Sequence, residues 1–383
     1  MLTVDLICFS HLRWNFVYQR PQHLLSRFAK NQRVFFIEEP IYDAEADFYS
    51  VNKEEDKNLW IVTPHIRNEL LPEQRAQKQK LLLDLLMVDM QINKYMCWYY
   101  TPMALEFSGH LEPSLVVFDC MDELSAFKFA PPELQEREAE LFRRADIVFT
   151  GGYSLFLVKK DKHPNVHYFP SSIDKEHFLQ ARKKDFNDPI DQTRIPHPRL
   201  GYYGVLDERL DIEMVETMAD LKPNWQFIYI GPVVKIDPKT LPIRKNIHYL
   251  GSKNYHELPD YLAGWDIALM PFAMNESTRF ISPTKTPEYL AGGKPVISTP
   301  IVDVVEAYGN NGLIYIGETA EEFVSAATHC LKHPEQKEEW LKEVDEELEG
   351  NSWDNTWKQM MERIEEALKR KNIVESDKTE AYV

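Results

Sequence analysis

NESTRFISPTKTPEYLAGGKPVISTP, residues 275–300 of a 383-residue chain, sets a polar loop, a short helical run and an apolar strand in succession. Ser282 suits a helix N-cap, and Pro283 suits the first helical position. Thr284 and Lys285 then fall in the first turn. The helix macrodipole disfavours a cation there unless an anion shares the site. Glu288 lies three residues beyond Lys285, on the same face and one turn deeper. Backbone N–H groups, the Ser282 and Thr284 hydroxyls and Lys285 would together cradle a diphosphate. A carboxylate at Glu288 could then accept hydrogen bonds from two ribose hydroxyls. The same residues also fit an ordinary capped helix carrying a solvated charge pair.

The flanks repeat one pattern. DIALMPF (266–272) precedes this stretch, and KPVIST (294–299) closes it. Upstream come PRLGYYG (198–204), a helix near Glu208–Asp220, NWQFIYIG (224–231), NIHYLG (246–251) and a helix near Tyr255–Ala263. Continuous apolar runs separated by helical periods indicate buried parallel strands. The N-terminal half alternates in the same way. Its runs are 3–9, 33–39, 59–62, 96–100, 114–120, 146–150 and 166–169, with helical patterns at 21–30, 73–93 and 132–144. Between the halves, KKDFNDPIDQTRIPHP (183–198) is polar with three prolines and reads as a linker. The expected division is an N-terminal domain at 1–193 and a C-terminal domain at 194–352. An amphipathic helix at 353–371 and a frayed tail at 372–383 follow. In open α/β sheets, ligands bind beyond the carboxyl ends of the strands, so both halves should line one cleft.

Composition narrows the function. The apolar fraction is 44% and the formal net charge is −17. A nucleic-acid binder shows a basic footprint, which this chain lacks. Acidity also opposes general adhesion to anionic lipid, while leaving room for a local peripheral contact at the inner face of a membrane. No run reaches the roughly 20 apolar residues of a membrane span. MLTVDLICFSHLRW reads as a first strand and not as a secretion signal. Cys8, Cys97, Cys120 and Cys330 are widely spaced without a CxxC pair, as expected of reduced thiols in a cytoplasmic protein.

In the N-terminal half, VVFDCMDELSAF (116–127) puts Asp119, Asp122 and Glu123 at the carboxyl end of a strand. A carboxylate there could act as a general base toward an acceptor hydroxyl or orient a sugar. Asp122 could equally cap the next helix. In SHLRWNFVYQRPQH (10–23), His11, Arg13, Trp14 and Arg20 could meet an acceptor or a phosphate, and they suit a packed loop as well. No histidine pair has metal-ligand spacing.

The segment SPTKTPEYLAGGKPVIS resembles the nucleotide-binding segment of family-4, group 1 glycosyltransferases with the GT-B fold. LGYYGVLDERLD (200–211) looks like that family's first C-domain strand and phosphate loop. HYFPSSIDKEHF (167–178) looks like its domain-junction signature. The likeness is closest to the teichuronic-acid-type subgroup acting on bacterial surface polysaccharides. It implies an α/β chain of two Rossmann-like domains facing each other across a cleft, with the C-terminal helix packing back on the first. It also implies a UDP- or GDP-sugar donor and a hydroxyl acceptor on a saccharide or lipid-linked saccharide, with retention at the anomeric carbon. Glu288 would hold the ribose, Gly204 would allow close backbone approach, and Arg209 and Lys285 would face the diphosphate. Asp122, with Arg209 and Lys285, would serve catalysis, and His11, Arg13, Asp119 and Asp122 would lie on the acceptor side. Helix dipole and cations would take the place of a metal, and no cofactor is implied. The family's earlier glutamate position holds Phe280, so Asn275, Glu276, Thr278 and Arg279 are its substitutes. A sugar-nucleotide epimerase of the same fold, or a non-catalytic binding subunit, would carry many of the same residues.

Overall fold

The computed structural model describes residues 4–183 and 188–381, with side chains of the last helix described through Ile373. The chain forms two compact units. The first comprises Met1–Ser125, Ala130–Pro170 and Trp353–Val383; the second comprises Ala126–Phe129 and Ser171–Ser352.

The first unit is built on one sheet. Its strands are β1 (Asp5–Phe9), β2 (Val34–Ile37), β3 (Ile41–Ala44), β4 (Phe48–Lys53), β5 (Leu59–Arg67), β6 (Tyr95–Tyr99), β7 (Val116–Cys120), β8 (Ile147–Thr150) and β9 (Val166–Tyr168). They run in the order β3-β5-β2-β1-β6-β7-β8-β9, with β4 antiparallel on β5 and the other pairs parallel. The inner strands are buried on both faces, which is why VFFI and YMCWY read as unbroken apolar runs. β3 and β4 escaped the sequence reading because they are largely exposed and mix polar with apolar residues. The last helix, Trp353–Ala381, sets Trp353, Met360, Ile364 and Ala367 into this core. It continues to Ala381 instead of ending at Lys371, so much of the expected frayed tail is helical backbone; residues 382–383 lie outside the described residues.

The second unit has six parallel strands: β10 (Arg199–Tyr203), β11 (Gln226–Ile230), β12 (Ile247–Tyr249), β13 (Ile267–Met270), β14 (Val296–Ser298) and β15 (Tyr315–Ile316). Their order is β12-β11-β10-β13-β14-β15. That is the 3-2-1-4-5-6 arrangement of a Rossmann sheet, in which the strand order reverses between β10 and β13. Ligands of such sheets bind at that reversal, beyond the carboxyl ends.

The expected linker is corrected in part. Residues 184–187 lie outside the described residues, but Asp188, Gln192 and Ile195 tie the Pro-rich segment to the second unit. Gln192 is fully buried; it accepts from Trp265 Nε1 at 2.9 Å and donates to the Tyr261 carbonyl at 3.1 Å. Asp188 pairs with the buried Arg199 at 2.8 Å. The polar composition suggested solvent exposure because sequence cannot show that these polar groups bond inward. The unit boundary accordingly falls between Pro170 and Ser171, not at 193/194.

No helix among the described residues is long and apolar enough to cross a membrane.

Candidate nucleotide site

The site is best built from β10. Gly201 sits against the face of Trp265, where a Cβ would come within 2.1 Å of the indole. Two residues on, Tyr203 ends the strand fully buried against the helix Lys285–Ala291. Its backbone N–H donates to Tyr289 Oη at 2.9 Å, and its own hydroxyl donates to Glu288 Oε2 at 2.8 Å. Strand end and helix are thus stitched twice through one residue.

The chain then turns at Gly204, with φ +145°, beside Gly231 with φ +143°, the residue that follows β11. A Cβ on Gly231 would meet the Gly204 carbonyl oxygen at 1.8 Å. Gly204 N–H bonds the Ile230 carbonyl at 2.8 Å, and Gly231 N–H bonds the Gly251 carbonyl at 2.9 Å. Only glycine holds these conformations cheaply and allows this approach. The result is a bare backbone shelf at the carboxyl ends of β10, β11 and β12. The Lys285 side chain lies over it: a Cβ on Gly204 would come within 2.2 Å of Lys285 Cε and 2.8 Å of Nζ. The same ammonium lies 5.6 Å from the Tyr202 ring centroid.

Glu288 is 7% exposed. Burial pushes its carboxyl up to about 7, against the lowering effects of the Tyr203 hydrogen bond and the Lys285 charge. Arg209 approaches the same region, since its charge acts on the buried Tyr202 phenol. Yet Arg209 is already held: Nε lies 3.0 and 3.1 Å from the two Asp207 carboxylate oxygens, and Nη2 lies 2.7 Å from Oδ2. Asp207 is 4% exposed and also accepts the Arg209 backbone N–H. Sequence reading missed this partner, so the expected bare cation is an oriented, locally neutralised pair.

The helix start also needs correction. The helix runs Lys285–Ala291, with Thr284, already in helical backbone conformation, at the N-cap position and no side-chain cap bond. Ser282 lies outside the helix, and its carbonyl accepts from Ser171 Oγ at 3.1 Å. Pro283 did not start the helix; its carbonyl accepts the Thr286 N–H at 3.4 Å. Gly204, Lys285 and Glu288 are therefore brought together with Tyr202 and Tyr203, while Ser282 and Thr284 stand just upstream of the helix. Asn275 does cap: its side chain accepts from Ser277 N at 3.0 Å and donates to the Glu208 carbonyl at 3.1 Å. Lys294, in the same signature, is structural. Its ammonium donates to the carbonyls of Ala263 (2.8 Å) and Trp265 (2.6 Å), and burial lowers it to about 7.

The first-unit candidates fare differently. Asp119 is completely buried, with its carboxylate gripped by Arg20 at 2.8–3.1 Å, and Arg20 also donates to the Phe169 carbonyl at 2.8 Å. The expected acceptor-side carboxylate is thus an internal anchor with no surface to offer a ligand. Arg13 pairs with Glu38 at 3.0 Å, and Trp14 N–H donates to the same carboxylate at 2.8 Å, so the packed-loop alternative describes both. His11 is half-buried in that loop. Asp122 is half-buried after β7, where Cys120 Sγ–H contacts its carbonyl at 3.7 Å. Glu123 beside it is held by the buried Lys159 at 2.7 Å. Among the described residues no cluster of three or more His, Cys, Asp or Glu could hold a metal.

A Rossmann sheet with a glycine shelf, a lysine and a buried carboxylate at its reversal point sets these groups where open α/β sheets bind their ligands. Residues 197–333 match the family described as Glycosyl transferases group 1, and the chain is similar to glycosyltransferases of the GT-B fold. It is 24% identical over 284 residues to TuaH of Bacillus subtilis (strain 168), assigned as a teichuronic acid biosynthesis glycosyltransferase. The match covers 70% of this chain and 66% of that relative, just under two thirds of its length. Among solved structures, Anabaena HepE in complex with UDP and glucose gives a TM-score of 0.69 at 12% identity, covering 94% of this chain and 99% of that one. Sucrose-phosphate synthase from Thermosynechococcus elongatus gives 0.68 at 13% identity, covering 95% and 98%. At these identities the two structures speak for the fold.

Proposed function

We propose that this protein moves a sugar from a UDP- or GDP-sugar to a hydroxyl of a saccharide or lipid-linked saccharide destined for a bacterial surface glycan, with retention at the anomeric carbon. One observation carries the reading: a buried Glu288, fixed by Tyr203 and set beside Lys285 over the Gly204 shelf, within a group 1 domain. In this reading Glu288 accepts the two ribose hydroxyls. The diphosphate lies on the glycine shelf, where Lys285 stabilises the charge that grows as the bond from anomeric carbon to phosphate oxygen breaks. Arg209, oriented by Asp207, adds to that field. The acceptor oxygen forms the new bond to the anomeric carbon, and the leaving electron pair departs with the nucleoside diphosphate. The acceptor proton passes to Asp122 or to a leaving phosphate oxygen. No metal or other cofactor is needed for this charge neutralisation. Nucleotide-sugar chemistry and four free thiols support work in the cytoplasm, with any membrane contact peripheral at its inner face. The relatives, HepE in complex with UDP and glucose and TuaH assigned to teichuronic acid biosynthesis, favour this donor and product class.

A thermal-shift panel of UDP- and GDP-sugars, followed by transfer assays with the stabilising donor, tests the proposal. A ligand at 100 times its dissociation constant stabilises the fold by about 2.7 kcal/mol. Stabilisation by one nucleotide series and transfer to a glycan hydroxyl are expected. A chain that no nucleotide stabilises would refute it.

A further inference from the structure

A cavity of about 270 Å³ lies wholly within the first unit at the carboxyl ends of β1, β2 and β6. β1 separates β2 from β6, so this is where the strand order of the first sheet reverses, the usual ligand position in an open α/β sheet. Its volume is just below the roughly 300–1,000 Å³ typical of small-molecule sites and suits one ring, not a chain.

The lining has two characters. Phe9, Phe107 and Tyr42 supply aromatic surface; Phe9 stacks on Tyr99 at 4.9 Å and meets Phe107 edge-on at 5.8 Å. Glu39, Glu106 and Gln79 supply polar groups. A third carboxylate, Glu38, is already used by Arg13, Trp14 N–H and Thr63 Oγ1. Among the described residues, neither Glu39 nor Glu106 accepts a hydrogen bond, and the lining contains no lysine or arginine. Arg13 acts on Glu39 from outside, and Arg75 stacks on Tyr42 at 4.3 Å without joining the lining. Carboxylate and amide oxygens accept from hydroxyls, and aromatic faces cover apolar ring faces, so the chemistry fits a polyhydroxylated ring. An anionic ring would meet two carboxylates with no lining cation opposite.

We infer that this cavity is a subsite for one saccharide ring without an anionic substituent, with Glu39, Glu106 and Gln79 binding its hydroxyls. The assignment of that ring to the acceptor rests on the transferase reading above; the selectivity does not. The test titrates the full chain with a neutral methyl hexoside and with the matching methyl uronate, by ligand-observed NMR at low salt. The neutral glycoside should bind at least about ten-fold more tightly than the uronate, as repulsion between like charges requires. Glu106→Gln should narrow that gap by about three-fold or more, because one of the two repelling charges is gone. Gln79→Ala should weaken the neutral glycoside by about five-fold, the scale of one lost hydrogen bond. Glu106 is exposed and Gln79 half-buried, so both variants should fold, which thermal melting verifies. Equal or tighter uronate binding, or affinities unmoved by both variants, overturns the inference. UDP binding is followed on the same samples. Nucleotide binding without glycoside selectivity overturns the subsite alone. Selectivity without nucleotide binding supports the subsite and sinks only the transferase reading.

Discussion

Gly204→Ala is the most incisive single change at the proposed nucleotide site. The added methyl enters a residue with φ +145°, a region that side chains rarely adopt, at a cost of about 1–3 kcal/mol. It also lands 2.2 Å from Lys285 Cε and 2.8 Å from Nζ. The lysine chain is flexible and must swing away, which removes its ammonium from the shelf. A charged hydrogen bond is worth roughly 1.5–3 kcal/mol, so nucleotide affinity should fall by roughly ten- to a hundred-fold. Calorimetric titration of the donor, paired with thermal melting, reads both effects. The double variant with Lys285→Ala separates them. Deleting the lysine relieves the clash but not the backbone strain, so the double variant should melt above Gly204→Ala. Its affinity should match Lys285→Ala alone, because both changes act on one group. Full additivity in affinity, or donor binding by Gly204→Ala at the native level, would refute the placement of Lys285 over the shelf.

The Glu288 carboxyl is raised in the folded chain from its ordinary value of 4.5 to about 7. The folded state therefore holds that proton more tightly, and stability contributed by the group is lost as pH rises from about 4.5 through 7. Glu288→Gln should melt higher than the native protein at pH 8 yet bind nucleotide sugar more weakly; lower stability at pH 8 would contradict the burial argument. Tyr203→Phe removes a bond that lowers this carboxyl, so the rise in donor affinity with pH should move to higher pH, as read by calorimetry from pH 6 to 9. Asp119→Ala leaves Arg20 buried without its partner, a loss of about 3–5 kcal/mol in the first unit. Nucleotide affinity should not change in that variant, and a selective loss of binding without destabilisation would restore Asp119 to a ligand role. Transfer should persist in excess EDTA; abolition in EDTA with recovery on adding magnesium or manganese would show that cations of the chain do not suffice.

Much of the fold was legible because burial writes itself into composition. LICF, VFFI, YMCWY and FIYI are apolar throughout since parallel strands under helices meet no water. What failed depended on partners distant in sequence. Nothing in KKDFNDPIDQTRIPHP announces that Gln192 will meet Trp265, 73 residues away. Ser282-Pro283 has the composition of a helix start, yet the helix begins at Lys285, because side-chain preference fixes the neighbourhood of a boundary and not its residue. At the site, Lys285 and Glu288 stood out through their spacing and helix position, and Gly204 through the family resemblance of its segment. Tyr203 and Asp207 did not, because the first looks like any strand tyrosine and the second like any loop acid. Gly231 could have been found: a glycine directly after the apolar run FIYI repeats the position of Gly204 after RLGYY.

The central claim is that the second unit holds the nucleotide through Lys285 and Glu288. Calorimetric binding of UDP and GDP to the native chain and to Lys285→Ala and Glu288→Ala tests it most directly. One of the two nucleotides should bind the native protein, and each variant should lose roughly 1.5–3 kcal/mol of that affinity while keeping its fold. Native-level affinity for that nucleotide in both variants would contradict the account.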